Sequence, residues 1–391
     1  MSQAPKPGRP MGLAVLGSTG SIGRQTLEVV RSLPGRFNIV ALAAGRNVTL
    51  LEEQARQFRP RLLCADREAD YLYGRIASGE LPARWATMEE MASHPDVDLV
   101  VVATVGSAGL GSTLAALRAG KTVALANKEV LVMAGQIITA EARRHGAQLR
   151  PIDSEHSAIW QCLWGESSDS VQRIVLTASG GPFRDTPREE LARVTAQEAL
   201  RHPNWQMGQK ITVDSATLLN KGLECIEARW LFGVPLERIE VLLHRESIVH
   251  SLVEFRDGSV KAQLGVPDMR LPIQCALTYP ERLSGTPVPR LDLKRVGTLT
   301  FGVPDMKQFP CLRLALEAGR RGGTCPAVLA AADEVAVQHF LTGHLPFLGI
   351  PHAVEDALTA HSDILDPSLD DILAADAWAR SFVQDWVQTK T

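Results

Sequence analysis

The chain has 391 residues, which is enough for two or three domains with buried cores. Hydrophobic residues make up 45% of it and charged residues 22%, and this ordinary globular composition excludes an intrinsically disordered protein. Because 41 basic residues are balanced by 44 acidic ones, the net charge is only -3, and we expect neither a nucleic acid nor a membrane surface as a partner.

The cysteines and the hydropathy pattern predict a cytoplasmic protein. The six cysteines form no CxxC pair and no regular spacing, so we interpret them as reduced thiols that mostly fill the core. The apolar run after Arg9 is short and enters a glycine loop, unlike a signal peptide. The uncharged stretch 99–117 is interrupted by three glycines, which is typical of strand, loop and helix in succession and not of a membrane span.

The first apolar run leads into a pattern typical of phosphate-binding loops. Residues 11–16 are followed by GSTGSIG at 17–23 and then by helical periodicity from Gln25 to Val30. A strand, a glycine turn and a helix N-terminus in that order present backbone amides and the helix dipole to an anion. The spacing is GxxGxxG and not the common GxGxxG, so an ordinary glycine turn remains an alternative here.

The second predicted strand gives a hypothesis about the cofactor. Residues 37–44 are strongly apolar and end in Gly45, Arg46 and Asn47, where NAD-specific folds place a ribose-binding acid. An arginine suits the 2′-phosphate of NADP, which its guanidinium can hold with two parallel hydrogen bonds. We therefore predict NADP rather than NAD. The alternative is that Arg46 is a solvated loop charge.

Further apolar runs alternate with helical patterns up to residue 150. β-Branched runs such as 97–103 between helical segments indicate a parallel sheet covered on both faces, and hence a Rossmann-like domain over residues 1–150. Asn127, Lys128 and Glu129 follow the strand predicted at 122–126. Because ligands bind at the carboxyl ends of parallel strands, these three residues are candidates for contacts with a nicotinamide and a substrate. A plain loop is equally consistent.

An α+β domain is predicted over 151–283, and a candidate metal site stands at its start. In an extended segment the side chains of Asp153 and Glu155 lie on one face, where both carboxylates can bind one cation. Oxygen ligands without a nearby cysteine favour Mg²⁺ or Mn²⁺ over zinc. The alternative is that these acids cap a helix that begins near His156.

Two loops downstream are candidates for ligand contacts. Ser179 precedes two glycines, a pattern that either brings backbone amides close to an anion or forms an ordinary turn. The segment 201–210 carries Trp205 on a loop bounded by proline and glycine, with no core of its own. Such a loop favours a lid that closes over a ligand and expels water.

The segment after the predicted lid has the character of a polar helix. We predict a helix that starts at Asp214 and Ser215. Asn220, Lys221 and Glu224 would then lie on one helical face, which forms either a polar site or a solvated surface.

The motifs taken together resemble those of a known family. The block HPNWQMGQKITVDSATLLNKGLE at 202–224, preceded in order by GSTGSIG, ANKE and PIDSEHSA, resembles the 1-deoxy-D-xylulose 5-phosphate reductoisomerase family over nearly the whole chain. The resemblance implies an NADPH- and divalent-metal-dependent enzyme. It would isomerise and reduce 1-deoxy-D-xylulose 5-phosphate to 2-C-methyl-D-erythritol 4-phosphate in the non-mevalonate isoprenoid route, as a homodimer built mainly by the middle domain.

The resemblance also implies roles for individual residues. The metal ligands would be Asp153, Glu155 and Glu224. The substrate would be held, beneath Trp205 of the lid, by Lys128, Ser154, Glu155, Ser179, His202, Ser215, Asn220, Lys221 and Glu224. The NADPH contacts would be Thr19, Gly20, Ser21, Ile22, Gly45, Arg46, Asn47, Asn127, Glu129 and Gly208. The catalytic candidates are Lys128, Asp153, Glu155, His202 and Glu224, of which Lys128 and Glu155 would handle hydroxyl protons.

The rest of the chain carries no evident chemistry. The proline-rich stretch 284–310 is predicted to be a linker, and residues 311–391 are predicted to form a small helical bundle. Two other functions remain alternatives. One is another NADP-dependent two-domain reductase, such as a semialdehyde or sugar dehydrogenase, and the other is a non-catalytic NADP-sensing protein.

Overall fold

The computed structural model describes residues 9–390, so the ends of the first and last predicted segments lie outside the described residues. A parallel sheet and its helices occupy the first part of the chain. In chain order they are β1 (Met11–Leu16), α1 (Ser21–Ser32), β2 (Phe37–Ala44), α2 (Val48–Phe58), β3 (Leu62–Ala65), α3 (Ala69–Ala77), β4 (Arg84–Trp85), α4 (Met88–Ser93), β5 (Leu99–Val102), α5 (Leu110–Arg118), β6 (Thr122–Leu125), α6 (Lys128–His145) and β7 (Leu149–Pro151).

A second sheet and a run of helices follow. The elements up to the end of the second sheet are α7 (Ser154–Cys162), β8 (Val171–Ala178), α8 (Arg188–Leu191), α9 (Ala196–Ala199), α10 (Gln209–Thr217), α11 (Leu219–Phe232), β9 (Ile239–Leu243), β10 (Val249–Phe255) and β11 (Val260–Leu264). The remaining helices are α12 (Arg270–Thr278), α13 (Leu293–Val296), α14 (Pro310–Arg321), α15 (Cys325–Leu341), α16 (Gly349–Ala360) and α17 (Leu369–Lys390).

The chain forms two compact units, each built from several segments. Unit 1 contains residues 9–130, 136–157 and 268–289, and unit 2 contains residues 131–135, 158–267 and 290–390. The predicted fold class is confirmed, since the chain has a parallel sheet, a second sheet and a C-terminal helical region. The division at residues 150, 283 and 310 stays a prediction.

All strands of the sheet in unit 1 are parallel, in the order β4-β3-β2-β1-β5-β6-β7. The residues of β5 are buried throughout and those of β1 nearly so, as expected for strands with helices on both faces. The strand order reverses at β1, which pairs with β2 on one side and β5 on the other. The carboxyl ends of β1 and β5 therefore flank the crevice where folds of this kind bind a dinucleotide.

The sheet of unit 2 has the order β11-β10-β8-β9, in which only the pair β8 and β9 is parallel. Ile174 and Leu176 of β8 are buried in one apolar cluster with Val253 of β10 and Cys225 of α11. This cluster fixes α11 against the strand that leads into Ser179. Among the described residues, no helix combines the length and the apolar character needed to cross a membrane.

The expectation of an extended segment at Asp153–Glu155 is wrong. α7 begins at Ser154, and the carbonyl of Asp153 accepts a helical hydrogen bond from the amide of Ser157 at 2.8 Å. The carboxylates of Asp153 and Glu155 nevertheless each offer an oxygen within 4.8 Å of the other. The start of a helix therefore keeps the two groups together, as an extended segment would have done.

The expected helix start at Asp214 is also wrong. α10 already begins at Gln209, and the chain breaks at Leu218, which has a left-handed backbone with φ +61. α11 then starts at Leu219. Leucine rarely adopts a left-handed conformation, so a leucine at position 218 gives no signal for the break in the sequence. The consequence is that Asn220 and Lys221 lie in the first turn of a new helix.

Gly222 allows α11 to approach α14 closely. A Cβ at Gly222 would lie 2.3 Å from the Cβ of Ala315, which is far inside van der Waals contact. We expect Gly222→Ala to destabilise the protein by about 1–3 kcal/mol, because the helices must move apart. Gly74→Ala in α3 is the matched control, since a Cβ there meets nothing within 4 Å. Urea denaturation followed by circular dichroism measures both, and equal free energies of unfolding would contradict the packing argument.

Candidate active site

The loop after β1 is fixed by its own backbone. Gly17 has φ +91, and a Cβ there would lie 2.4 Å from the carbonyl oxygen of Ala103, so only glycine fits. The amides of Gly17 and Ser18 donate to the carbonyl of Ala43 at 2.9 and 2.8 Å. The first amides of α1 have no acceptor within the helix and suit an anion. The predicted cofactor contacts at this turn are Thr19, Gly20, Ser21 and Ile22.

Sequence reasoning missed Gln54, which holds the same loop from α2. The buried hydroxyl of Ser18 donates to Oε1 of Gln54 at 2.7 Å, and Nε2 of Gln54 donates to the carbonyl of Ser18 at 2.9 Å. These two bonds satisfy both ends of the side-chain amide and attach α2 to the loop. A glutamine in a helix carries no sequence signal for a partner 36 positions away.

The predicted 2′-phosphate residues lie at the carboxyl end of β2. Gly45, Arg46 and Asn47 are all exposed. Oδ1 of Asn47 accepts a hydrogen bond from the amide of Leu50 at 3.0 Å and so caps α2. The cap fixes the backbone on which Arg46 stands, while its guanidinium remains at the surface.

The side chain of Asn127, at the carboxyl end of β6, forms hydrogen bonds within the protein. Its Oδ1 accepts from the amide of Val130 at 3.2 Å and caps α6. Its Nδ2 donates to the carbonyl of Gly106 at 2.9 Å and to Oγ1 of Thr104 at 3.2 Å. Both amide hydrogens are therefore used within the protein, and the loop after β5 is tied to the start of α6. Glu129 lies half-buried in the first turn of that helix.

Neighbouring strand ends bring Lys128 and Asp153 together in unit 1. β6 and β7 pair in parallel, and these two residues lie just beyond their carboxyl ends. The ammonium of Lys128, which is 5% exposed, lies 2.6 Å from Oδ2 of Asp153. Nδ1 of the buried His156 lies 3.9 Å from the same oxygen. The ammonium of Lys128 thus orients the Asp153 carboxylate, and the His156 ring lies beside it.

The second carboxylate of unit 1 is oriented by its neighbour. The hydroxyl of Ser154 donates to Oε2 of Glu155 at 2.6 Å. A carboxylate oxygen of Glu155 and one of Asp153 lie within 4.8 Å of each other, so the two residues can share a divalent cation. Both would offer hard oxygen ligands. The donor set fits Mg²⁺ or Mn²⁺ as predicted.

In unit 2 the turn after β8 packs directly on α10. Gly181 has φ +70, and a Cβ there would lie 2.6 Å from the carbonyl oxygen of Ser215. The amide of Gly181 donates to Oγ of Ser179 at 3.2 Å. The predicted phosphate residues Ser179 and Ser215 therefore stand on two segments in close contact.

His202 is held in one tautomer by the loop that carries it. Its Nδ1 lies 3.2 Å from the amide nitrogen of Asn204 and 3.0 Å from that of Trp205, and both amides donate. Nδ1 is therefore the acceptor, and Nε2 carries the proton that it donates to Oγ of Ser179 at 2.9 Å. Burial, with a smaller contribution from the charge of Arg184, lowers the pKa of His202 to about 4.

The predicted lid is attached to unit 2 at a point that sequence reasoning missed. Nδ2 of Asn204 donates to the carbonyl of Arg245 and to Oγ of Ser247, both at 2.7 Å. The ring of Trp205 lies 6.2 Å from that of His250. Gly208 is the N-cap residue of α10 at the end of the loop. An asparagine that follows a proline could have signalled a turn, but not these partners.

The start of α11 carries a buried group of charges. Nδ2 of Asn220 donates to Oε1 of Glu224 at 2.5 Å, and the ammonium of Lys221 donates to Oε2 of the same carboxylate. Lys221 and Glu224 are almost fully buried, at 4% and 1% exposure. Each carboxylate oxygen has two acceptor directions, so these bonds are compatible with a further ligand.

The crevice where the strand order reverses, its glycine loop and the pair of carboxylates define a nucleotide-dependent oxidoreductase. Three family models match the chain. They are 1-deoxy-D-xylulose 5-phosphate reductoisomerase over residues 13–135, its C-terminal domain over 149–232, and the DXP reductoisomerase C-terminal domain over 264–382. The chain belongs to the 1-deoxy-D-xylulose 5-phosphate reductoisomerase family, as its motifs predicted.

Curated relatives agree over almost the full length. The 1-deoxy-D-xylulose 5-phosphate reductoisomerase of Pelotomaculum thermopropionicum is 57% identical over 374 residues, which are 94% of this chain and 96% of the relative. That of Geobacillus sp. is 54% identical over 377 residues, which are 95% and 98% of the two chains.

Solved structures agree as well. A DOX-P reductoisomerase in complex with NADPH, fosmidomycin and magnesium has a TM-score of 0.92 and 42% identity, with 97% of this chain and 98% of that chain covered. The enzyme of Zymomonas mobilis in complex with NADPH has a TM-score of 0.89 and 42% identity, with 97% and 99% covered. The family assignment therefore rests on sequence and fold together.

The environment of His202 predicts a neutral imidazole at physiological pH. We expect the Nε2–H tautomer to persist from about pH 5.5 to 8, which ¹⁵N NMR of labelled histidine can measure. Because the folded pKa of about 4 lies below the ordinary value of 6.5, the unfolded chain binds more protons in this window. The free energy of unfolding should therefore fall as the pH decreases from 6.5 to 4, and His202→Asn should reduce this slope. An unchanged slope would contradict the assignment.

Proposed function

We propose that the chain converts 1-deoxy-D-xylulose 5-phosphate to 2-C-methyl-D-erythritol 4-phosphate by isomerisation and reduction, with NADPH and a divalent cation. The observation that carries the proposal is the arrangement of Lys128, Asp153 and Glu155 in unit 1. These groups lie at the carboxyl edge of the same sheet that carries the glycine loop. With a divalent cation on the carboxylates, an ammonium and two carboxylates beside a dinucleotide crevice suit a polyhydroxylated substrate.

We propose Asp153, Glu155 and Glu224 as the ligands of the cation. Asp153 and Glu155 supply two hard oxygens that are already oriented by Lys128 and Ser154. In unit 2, Glu224 is oriented by Asn220 and Lys221, and its burial favours retention of a nearby positive charge. The proposal is supported by the matching chemistry of the three side chains, all carboxylates with fixed orientation.

When bound, NADPH supplies the two-electron reduction, and the cation supplies Lewis acidity for the keto and hydroxyl oxygens. The chain's own residues bind and orient the substrate. Lys128 and Glu155 stand where a hydroxyl proton would be taken and returned, since the ammonium can donate and the carboxylate can accept. His202 is neutral and donates from Nε2, so its proposed role is to orient Ser179 rather than to accept a proton.

The substrate phosphate is proposed to bind in unit 2. Its donors would be the hydroxyls of Ser179 and Ser215, the amide of Asn220 and the ammonium of Lys221. The Ser179 hydroxyl accepts from His202 and Gly181, which leaves its own proton to be donated. Asn220 and Lys221 also lie in the first turn of α11, whose dipole favours an anion. Binding energy from the phosphate would position the reacting carbons.

The segment 201–210 is proposed to act as a lid, with Trp205 over the substrate. Trp205 and Met207 are only partly buried on a segment without regular secondary structure, so a ligand would add apolar contact to both. The attachment of Asn204 to Ser247 and the carbonyl of Arg245 gives the lid one fixed point. Closure would exclude water from the reaction.

The cysteines argue against the rival reductase with a nucleophilic thiol. All six are free, and burial is the first cause of a raised pKa in each of them. The pKa reaches about 11 for Cys162 and Cys275 and about 12 for Cys64. A thiol that remains protonated is a poor nucleophile. The reduced, buried thiols also support our proposal of a cytoplasmic location.

One assay separates the proposed function from its rivals. NADPH absorbance is followed with 1-deoxy-D-xylulose 5-phosphate and Mg²⁺ or Mn²⁺, with and without a chelator. We expect oxidation of NADPH that the chelator abolishes. Oxidation of NADPH that survives the chelator indicates another reductase. Binding of NADPH without oxidation indicates a sensing protein.

The role proposed for Glu224 predicts a selective loss of turnover. Glu224→Gln should reduce kcat by about a hundredfold or more and leave the Kd of NADPH nearly unchanged, because it removes a charge that acts on the reacting oxygens. The exposed Glu237→Gln is the matched control and should retain wild-type kinetics. Steady-state rates and NADPH fluorescence titration measure the two quantities. Wild-type turnover of Glu224→Gln would remove Glu224 from the metal site.

The role proposed for Arg46 predicts a change in cofactor selectivity. Arg46→Ala should weaken the binding of NADPH far more than that of NADH, since only NADPH carries the 2′-phosphate. The ratio of kcat/KM for the two cofactors measures the effect. Equal weakening would show that Arg46 does not bind this phosphate.

We propose that the chain is a homodimer built mainly by the middle domain, residues 151–283, and that residues 290–306 add to the interface. This segment exposes Leu293, Phe301, Val303 and Met306, and Val303 is 81% exposed. Val303→Asp should shift the protein towards the monomer, since a buried carboxylate in the interface is costly. Val105→Asp, at 80% exposure in unit 1, is the matched control. Sedimentation velocity measures the oligomeric state, and a wild-type monomer would refute the proposal.

A further inference from the structure

Backbone hydrogen bonds between β2 and β3 continue beyond the carboxyl ends of the two strands. The strands are parallel, with Ala44 paired to Ala65. Past this pair the amide of Asp66 donates to the carbonyl of Ala44 at 3.1 Å. The amide of Arg67 donates to the carbonyl of Gly45 at 2.9 Å. Arg67 is therefore placed beside the residue that directly precedes Arg46.

Both arginines present their charge to the surface. Arg46 and Arg67 are exposed, and within residues 9–390 neither guanidinium forms an ion pair with a carboxylate. Two other arginines of unit 1 are paired, Arg61 with Asp96 and Arg75 with Glu52. Two cationic groups without a protein partner thus stand on adjacent strand ends, next to the crevice at β1.

We propose that Arg67 is a second residue that recognises the 2′-phosphate of the cofactor, together with Arg46. The inference rests on the proposed use of NADPH and adds a specificity residue to it. A phosphate monoester carries about -1.5 to -2 charges near neutral pH, and two guanidiniums can supply donors to its three terminal oxygens. At this position NADH carries an uncharged hydroxyl, which offers neither arginine an anionic partner.

The segment that carries Arg67 is otherwise acidic. Asp66 and Glu68 flank it and are exposed, and Asp70 follows in the first turn of α3. These acids would repel a phosphate, and the guanidinium of Arg67 offsets them on the same segment.

Binding of 2′,5′-ADP and of 5′-AMP, which differ only in the 2′-phosphate, to the full chain tests the inference without turnover. The variants are Arg67→Gln and Arg46→Gln, which keep a polar side chain and remove the charge. Arg59→Gln is the matched control, because Arg59 is exposed at the C-cap of α2 and precedes β3, at the opposite edge of the sheet. Isothermal titration calorimetry gives each Kd, and thermal unfolding confirms that each variant is folded.

We expect Arg67→Gln to weaken the binding of 2′,5′-ADP about tenfold or more, as loss of a charge-assisted hydrogen bond does, with the binding of 5′-AMP nearly unchanged. Arg59→Gln should change neither Kd. If Arg46→Gln weakens the binding of 2′,5′-ADP and Arg67→Gln does not, or if Arg67→Gln weakens the binding of both ligands equally, the inference is overturned while the proposed function stands. If the wild-type chain binds 2′,5′-ADP no better than 5′-AMP, the proposed preference for NADPH itself fails.

Discussion

The register of the parallel sheet in unit 1 is the constraint on which the rest of the site depends. Parallel pairing places the carboxyl ends of neighbouring strands at one edge, and each functional segment of unit 1 follows such an end. The glycine loop follows β1, Arg46 follows β2, Lys128 follows β6 and Asp153 follows β7. The 2.6 Å contact between Lys128 and Asp153 is a direct result of this register. A slip of one strand would separate the groups.

Buried charges in both units are paired and oriented before any ligand binds. Lys128 with Asp153 and Lys221 with Glu224 each combine an ammonium and a carboxylate away from water. Such pairs contribute little net stability, because desolvation offsets much of their attraction. Their value is the fixed direction of the charged groups. A preorganised polar site requires no reorganisation when charge develops on a substrate.

Three left-handed backbone positions in unit 2 border the proposed phosphate site. Leu218 is left-handed between α10 and α11, and Gly180 and Gly181 are left-handed after β8. The break at Leu218 creates a new helix N-terminus where Asn220 and Lys221 stand. An uninterrupted helix would have placed these residues in its interior, away from any helix N-terminus. Local strain of this kind persists only where surrounding contacts support it.

The sequence by itself determined the family, the class of fold and the chemical types of the proposed site residues. Glycine spacing, an arginine after the second strand and a carboxylate pair are local signals, and local chemistry can be read without coordinates. The tertiary structure alone decided that Gln54 holds Ser18, that Asn204 holds the lid segment, and that Arg67 stands beside Gly45. It also decided the true starts of α7 and α11. These features depend on partners far along the chain or on a rare leucine conformation, and neither leaves a periodic pattern in the sequence.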